Sequence, residues 1–167
     1  MMNLNQQIVF ADTVFAQEVD GEMVLLDMNS ENYFGLDSVG TDIWKAIEAT
    51  DVKYQDWMAR KEFNSTDVTL HIYLEPKPSE SIAIEDFGGQ LALELSKLTS
   101  EFSDLDEILG YNPLKISFLE PGSFDSYMKQ KQQEGADLAH IKPPHMQPSD
   151  QIVNQLQEYK GNLPGIP

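Results

Sequence analysis

The sequence predicts an α+β protein in two parts. The first is a three-strand meander with one helix, a partial winged-helix-like arrangement. The second is a small α/β sandwich of β-α-β-α order. Three observations carry this reading. Asp20-Gly21 separates two strand-like runs, apolar residues then recur at helical spacing up to Ile47, and beyond Thr50 strand-like alternation gives way to helical stripes and back again. The expected organisation is residues 1–50, residues 51–160 and a flexible tail over 161–167.

Thr13 to Val19 and Glu22 to Met28 read as the first two strands. Asp-Gly between them favours a type I′ turn, which needs positive φ at both central residues. Val24, Leu26 and Met28 share one face of the second run and Met23 and Leu25 the other, as in a central strand. Asn29 to Asn32 reads as another turn and Tyr33 to Leu36 as a short third strand. Asp37 or Ser38 can cap the helix that follows, whose expected buried stripe is Val39, Ile43 and Ile47 with Trp44 beside it.

Past Thr50, Val52 to Trp57 is a weak strand candidate, able to pair with Asp67 to Leu74. That second run alternates Val68, Leu70, Ile72 and Leu74 against Thr69, His71 and Tyr73, predicting one buried face. Phe87, Leu91, Leu95, Leu98 and Phe102 then fall on one stripe of a long helix. Asp104 with Glu107 reads as a capping pair opening a short helix through Leu109. Leu114 to Leu119 is a strand, Pro121-Gly122-Ser123 turns into a helix stopped by Gly135, and Ser149 caps a last helix ended by Gly161.

The chain carries 28 acidic against 11 basic residues, a formal charge of −17, which argues against nucleic-acid or anionic-membrane partners. The excess carboxylates are either a solubilising surface or a face that steers a basic partner. With no cysteine there is neither a disulfide nor a thiolate nucleophile. The start MMNLNQQIVF lacks the basic and apolar segments of a signal peptide, and no run is long enough to span a bilayer, so a cytoplasmic protein is expected.

The order VLLDMNSENYFGLDSVGTDIW, with Leu25, Leu26, Asp27, Tyr33, Phe34, Leu36, Gly40, Ile43 and Trp44 in register, resembles the PqqD-like precursor-peptide recognition domains. The resemblance implies that a leader peptide adds as an extra strand at the sheet edge, where backbone groups are unpaired. It places the peptide contacts on Asn32, Tyr33, Phe34, Gly35 and Leu36, although Tyr33 and Phe34 read more readily as core. The family continues with two further helices, whereas this chain reads VKYQDWMARKEF from Val52, so something else would complete the groove.

The second part resembles the C-terminal lid domain of the Gretchen-Hagen, or auxin-conjugating, acyl-acid amido synthetases. The resemblance runs through HIYLE, DLDEILGYN, PGSFDSYM and above all EGADLAHIKPP. Gly135, Ala136, Lys142 and Pro144 agree with that family's ending, while His140 and His145 stand where it prefers glutamine and arginine. On this resemblance Lys142 is the residue that would approach an acyl-adenylate held by another domain. No Gly-rich phosphate loop occurs, so the chain is not expected to be a ligase by itself.

Other constellations are weak. His140 and His145 lie in a Pro-rich loop with poor metal geometry, Asp104, Asp106 and Glu107 lack a calcium loop, and Ser123 lacks a nucleophile elbow. No metal and no cofactor are expected. The leading expectation is a non-catalytic accessory protein that binds a precursor peptide by strand addition and serves a peptide-modifying enzyme. The alternative is the detached lid of a split acyl-adenylating ligase, with the adenylating enzyme as partner. A purely structural module is a third reading, and an open sheet edge would also allow a homodimer.

Overall fold

The computed structural model describes residues 9–10, 14–20, 22–27, 32–81, 83–137 and 141–161. The chain forms two compact units, Met1–Trp44 and Lys45–Pro167.

In the first unit β1 (Val9–Phe10), β2 (Val14–Val19), β3 (Glu22–Asp27) and β4 (Asn32–Leu36) form an antiparallel sheet in the order β1-β2-β3-β4. The expected three-strand meander therefore gains a short strand at its start. Val19 pairs with Glu22 across the turn, where Asp20 has φ +52°, while Gly21 lies outside the described residues. So do Thr13 and Met28, the expected strand ends, and Asn29 to Glu31 of the expected second turn; Asn32 is already strand.

Helix α1 (Ser38–Ala49) follows at once. Asp37 is its cap: Oδ1 accepts from the Gly40 amide at 2.7 Å, satisfying one of the orphan first-turn donors. Ile43, Trp44 and Ile47 are buried as the stripe predicts, but Val39 is 57% exposed. The first turn instead turns Gly40 and Thr41 inward, because Thr41 has hydrogen bonds to make there.

The second unit is built on β5 (Tyr54–Asn64), β6 (Asp67–Pro76) and β7 (Leu114–Phe118), in that order across the sheet. β5 and β6 form an antiparallel hairpin around Ser65, at φ +54°, and β7 returns parallel to β6. β5 runs seven residues past the expected end at Trp57, because Lys61 to Asn64 are carried by pairing with β6 rather than by any apolar pattern of their own. β6 is the middle strand, and His71 through Glu75 are all buried, so the expectation of a single buried face is corrected.

The crossover from β6 to β7 is two helices, α2 (Ile84–Leu98) and α3 (Ser100–Leu109), as expected in number, but the break falls at Thr99 and not between Phe102 and Asp104. Thr99 is extended at φ −140°, and the stripe fails at that point: Phe87, Leu91 and Leu95 are buried, Leu98 is 43% exposed. Asp104 and Glu107 lie inside α3 and do not cap it. α2 lies on one face of the sheet, with the Phe87 and Phe118 rings 5.6 Å apart and Gly88 against Ile116.

α4 (Ser123–Gln133) and α5 (Asp150–Glu158) cover the other face. There Met58, Tyr73, Leu119, Phe124, Tyr127, Val153 and Leu156 form one core, each large side chain contributing about 1.5–3 kcal/mol on burial. Gly135 has φ +81° just past α4, Ser149 Oγ caps α5 by accepting from Ile152 at 3.3 Å, and Gly161 has φ +74° beyond its end. Of the expected tail only Gly161 is described; residues 162–167 lie outside the described residues. Among the described residues no helix is long and apolar enough to cross a membrane.

Candidate functional site

The five residues expected to meet a peptide, Asn32, Tyr33, Phe34, Gly35 and Leu36, are together the whole of β4, and β4 is an outermost strand. Its inner side pairs with β3 in the register Asp27↔Asn32 to Met23↔Leu36. Thr41 of α1 locks both strands: its Oγ1 accepts from the Met23 amide at 2.9 Å and donates to the Leu36 carbonyl at 3.3 Å. Met23, Leu36 and Thr41 are all buried, so the far end of the edge strand is fixed while its outer backbone groups have no strand beside them among the described residues. Gly35 is exposed, with open space where a Cβ would stand.

In the second unit Lys142 is held in an ion pair, Nζ 3.1 Å from Asp56 Oδ2. His145, five residues nearer α5 than the undescribed His140, is a packing group: its ring stacks on Trp57 at 4.6 Å and Nδ1 donates to the Trp57 carbonyl at 2.7 Å. Burial pushes the His145 pKa down against the pull of Asp56, so no cation stands at this position at neutral pH. Around it, the Ala59 amide donates to the His145 carbonyl and the Gln147 amide to the Ala59 carbonyl. The segment thus covers the outer edge of β5, which leaves β7 as the open edge of this sheet among the described residues.

HIYLE and PGSF, two of the motifs behind the lid resemblance, meet through Glu75. Its carboxylate accepts from the Gly122 amide at 2.6 Å and the Phe124 amide at 2.9 Å, seating the start of α4 on β6. Burial raises the Glu75 pKa and the two amides oppose that rise. Its place in the motif is accounted for by helix anchoring.

A polar network that the sequence reading missed crosses the three strands. His71 on β6 has Nε2 2.8 Å from Ser117 Oγ on β7 and Nδ1 2.9 Å from Glu62 Oε2 on β5. Glu62 also accepts from Tyr73 Oη at 2.6 Å and Arg60 Nε at 2.9 Å, and Arg60 reaches Asp150 of α5 at 2.6 Å. Burial works to raise the Glu62 pKa, but the hydrogen bonds from Tyr73 and Arg60, with the His71 ring close beside the carboxylate, win and hold it at about 2. Burial also lowers the His71 pKa, so its imidazole is neutral at pH 7. The signal available in the sequence was the polar side of the β6 alternation, Thr69, His71 and Tyr73, with the polar run Arg60-Lys61-Glu62 before it; in the fold Glu62 pairs with Thr69 and Arg60 with His71. Among the described residues no three His, Asp or Glu side chains gather as a metal site.

Two comparisons with known proteins fit this geometry. The sequence model of the family described as Coenzyme PQQ synthesis protein D (PqqD) matches residues 22–54, which are β3, β4, α1 and the first residue of β5. In structure, the chain is similar to the acyl acid amido synthetase AtGH3.15 in complex with 2,4-DB, at TM-score 0.54 and 17% identity over 82% of this chain and 29% of that one. It is likewise similar to the GH3.15 acyl acid amido synthetase, at TM-score 0.56 and 18% identity over 82% of this chain and 30% of that one. At these identities the likeness is one of fold, and this chain spans less than a third of either synthetase. No curated protein matches the chain in sequence.

Proposed function

We propose that the chain is a recognition protein that takes a precursor peptide as an added strand on β4 and presents it to a peptide-modifying enzyme. The observation that carries the reading is the coincidence of the PqqD match, residues 22–54, with an edge strand locked to its helix through Thr41. Among the described residues β4 offers five residues of edge, whereas β1, the opposite edge, offers two. An extended peptide gains affinity from main-chain hydrogen bonds and selectivity from pockets under alternate side chains. The charge of −17 favours a basic or amphipathic peptide.

The test is capture from a lysate of the source organism by the tagged full chain, read by mass spectrometry. A short basic precursor peptide is expected, and it is expected to be lost from a Tyr33→Ser, Phe34→Ser variant whose melting is unchanged. A peptide retained by that variant removes β4 as the site.

A second reading, the lid of a split acyl-adenylating ligase, is favoured by the fold likeness to the synthetases. In that reading Lys142 would leave Asp56 to meet the adenylate. Recovery of a large adenylating enzyme without peptide, through a contact weakened by Lys142→Ala, selects it.

A further inference from the structure

We propose that Ser117, His71 and Glu62 are a nucleophile, a general base and an orienting carboxylate that give the second unit hydrolase activity toward small activated esters. This site is separate from β4 and does not depend on the peptide reading. Acyl transfer to serine needs a base in hydrogen-bond reach of the hydroxyl and a third group that holds the base. Here one ring nitrogen of His71 is 2.8 Å from Ser117 Oγ and the other 2.9 Å from Glu62 Oε2. Glu62 is itself fixed by Tyr73 and Arg60, and the Tyr73 ring lies flat on the imidazole at 3.9 Å. The Nδ1 contact lacks the straight line of a hydrogen bond in this state, a slack that unliganded catalytic groups commonly show.

Ser117 is half-buried and opens into a cleft of about 310 Å³ that it lines with Phe118, Glu120, Gln157 and Lys160. Two donors can meet the negative charge that develops on an attacked carbonyl oxygen. One is the Lys160 ammonium. The other is the Phe118 amide, because the Leu119 amide donates to Leu74 across the ladder and parallel alternation then turns the Phe118 N–H to the open edge.

In the reaction, Ser117 Oγ bonds to the ester carbonyl carbon as its proton passes to His71 Nε2. Collapse breaks the bond to the leaving alcohol oxygen, which takes that proton. Water then attacks the acyl-serine, losing a proton through the same nitrogen, and releases the carboxylic acid and free Ser117. Glu62 is a positioning residue, holding the tautomer that leaves Nε2 free to accept.

The experiment uses the full chain with p-nitrophenyl acetate, and a fluorophosphonate probe followed by peptide mass spectrometry. An adduct on Ser117 is expected, with hydrolysis falling about 100-fold or more in Ser117→Ala. Glu62→Gln is expected to lower kcat with KM unchanged. If Ser117→Ala fails to fold, Ser117→Cys replaces it, as the sole thiol of a chain with no cysteine. Iodoacetamide should alkylate that thiol at pH 7 about 10-fold faster than free cysteine, because His71 draws off its proton. No adduct, an adduct on another residue, hydrolysis unchanged in Ser117→Ala, or a thiol no faster than free cysteine each overturns the proposal.

Discussion

At the scale of single residues, the positions that carry most structure here are ones whose identity in the sequence says little. Gly122 reads as one more turn glycine after Pro121. In the fold it has φ +96°, and a Cβ there would stand 3.0 Å from the Tyr159 hydroxyl. Gly122→Ala therefore meets both a left-handed backbone and a crowded ring, and costs about 1–3 kcal/mol in a denaturant titration. A loss below a few tenths would show that Tyr159 moves aside freely. Glu75 teaches the same lesson from the other direction. HIYLE carries a resemblance, yet the work of Glu75 follows from two amides far along the chain, Gly122 and Phe124, that donate to it. Lys142 was legible as a motif residue, but its partner Asp56 lies 86 positions earlier, and no spacing rule joins them.

At the scale of elements, sequence periodicity located every helix and strand that has its own pattern and failed where pairing or a break decides. The Asp20-Gly21 hairpin, the helix after Asp37, the strand before Pro121 and the Ser149 cap are all local signals, and all are present. β5 past Trp57 has none, since Lys61 to Asn64 owe their conformation to β6. The apolar stripe through Leu98 and Phe102 continued across Thr99, so a single helix looked consistent although the backbone turns extended there. The capping of α1 gives a direct check. Asp37→Ala removes the acceptor of the Gly40 amide and should cost about 1 kcal/mol, whereas Asp37→Asn keeps an acceptor and should cost a few tenths. Equal losses in the two variants would mean that the helix start is held by Thr41 rather than by its cap.

At the scale of the whole molecule, charge and buried histidine act on stability in opposite directions as acid is added. A chain at −17 repels itself, and protonating carboxylates toward the pI of about 4.3 relieves that repulsion. Glu48 and Glu75, whose pKa values burial raises, also favour the folded state as pH falls. His145 does the reverse. Its folded pKa lies below the unfolded value of 6.5, so the unfolded chain binds its proton first. The stability it contributes is complete above about pH 6.5 and is lost as pH falls below that value. A single melting curve mixes these effects, but a substitution separates them, because the field of the remaining charges is shared. Between pH 7 and pH 5.5 the parent chain should lose more, or gain less, thermal stability than His145→Gln, in which the amide can still donate to the Trp57 carbonyl. Calorimetry of both proteins at the two pH values reads the difference directly. Parallel slopes would mean that His145 protonates in place, with Asp56 at 3.7 Å supplying the counter-charge, and that burial does not hold it neutral.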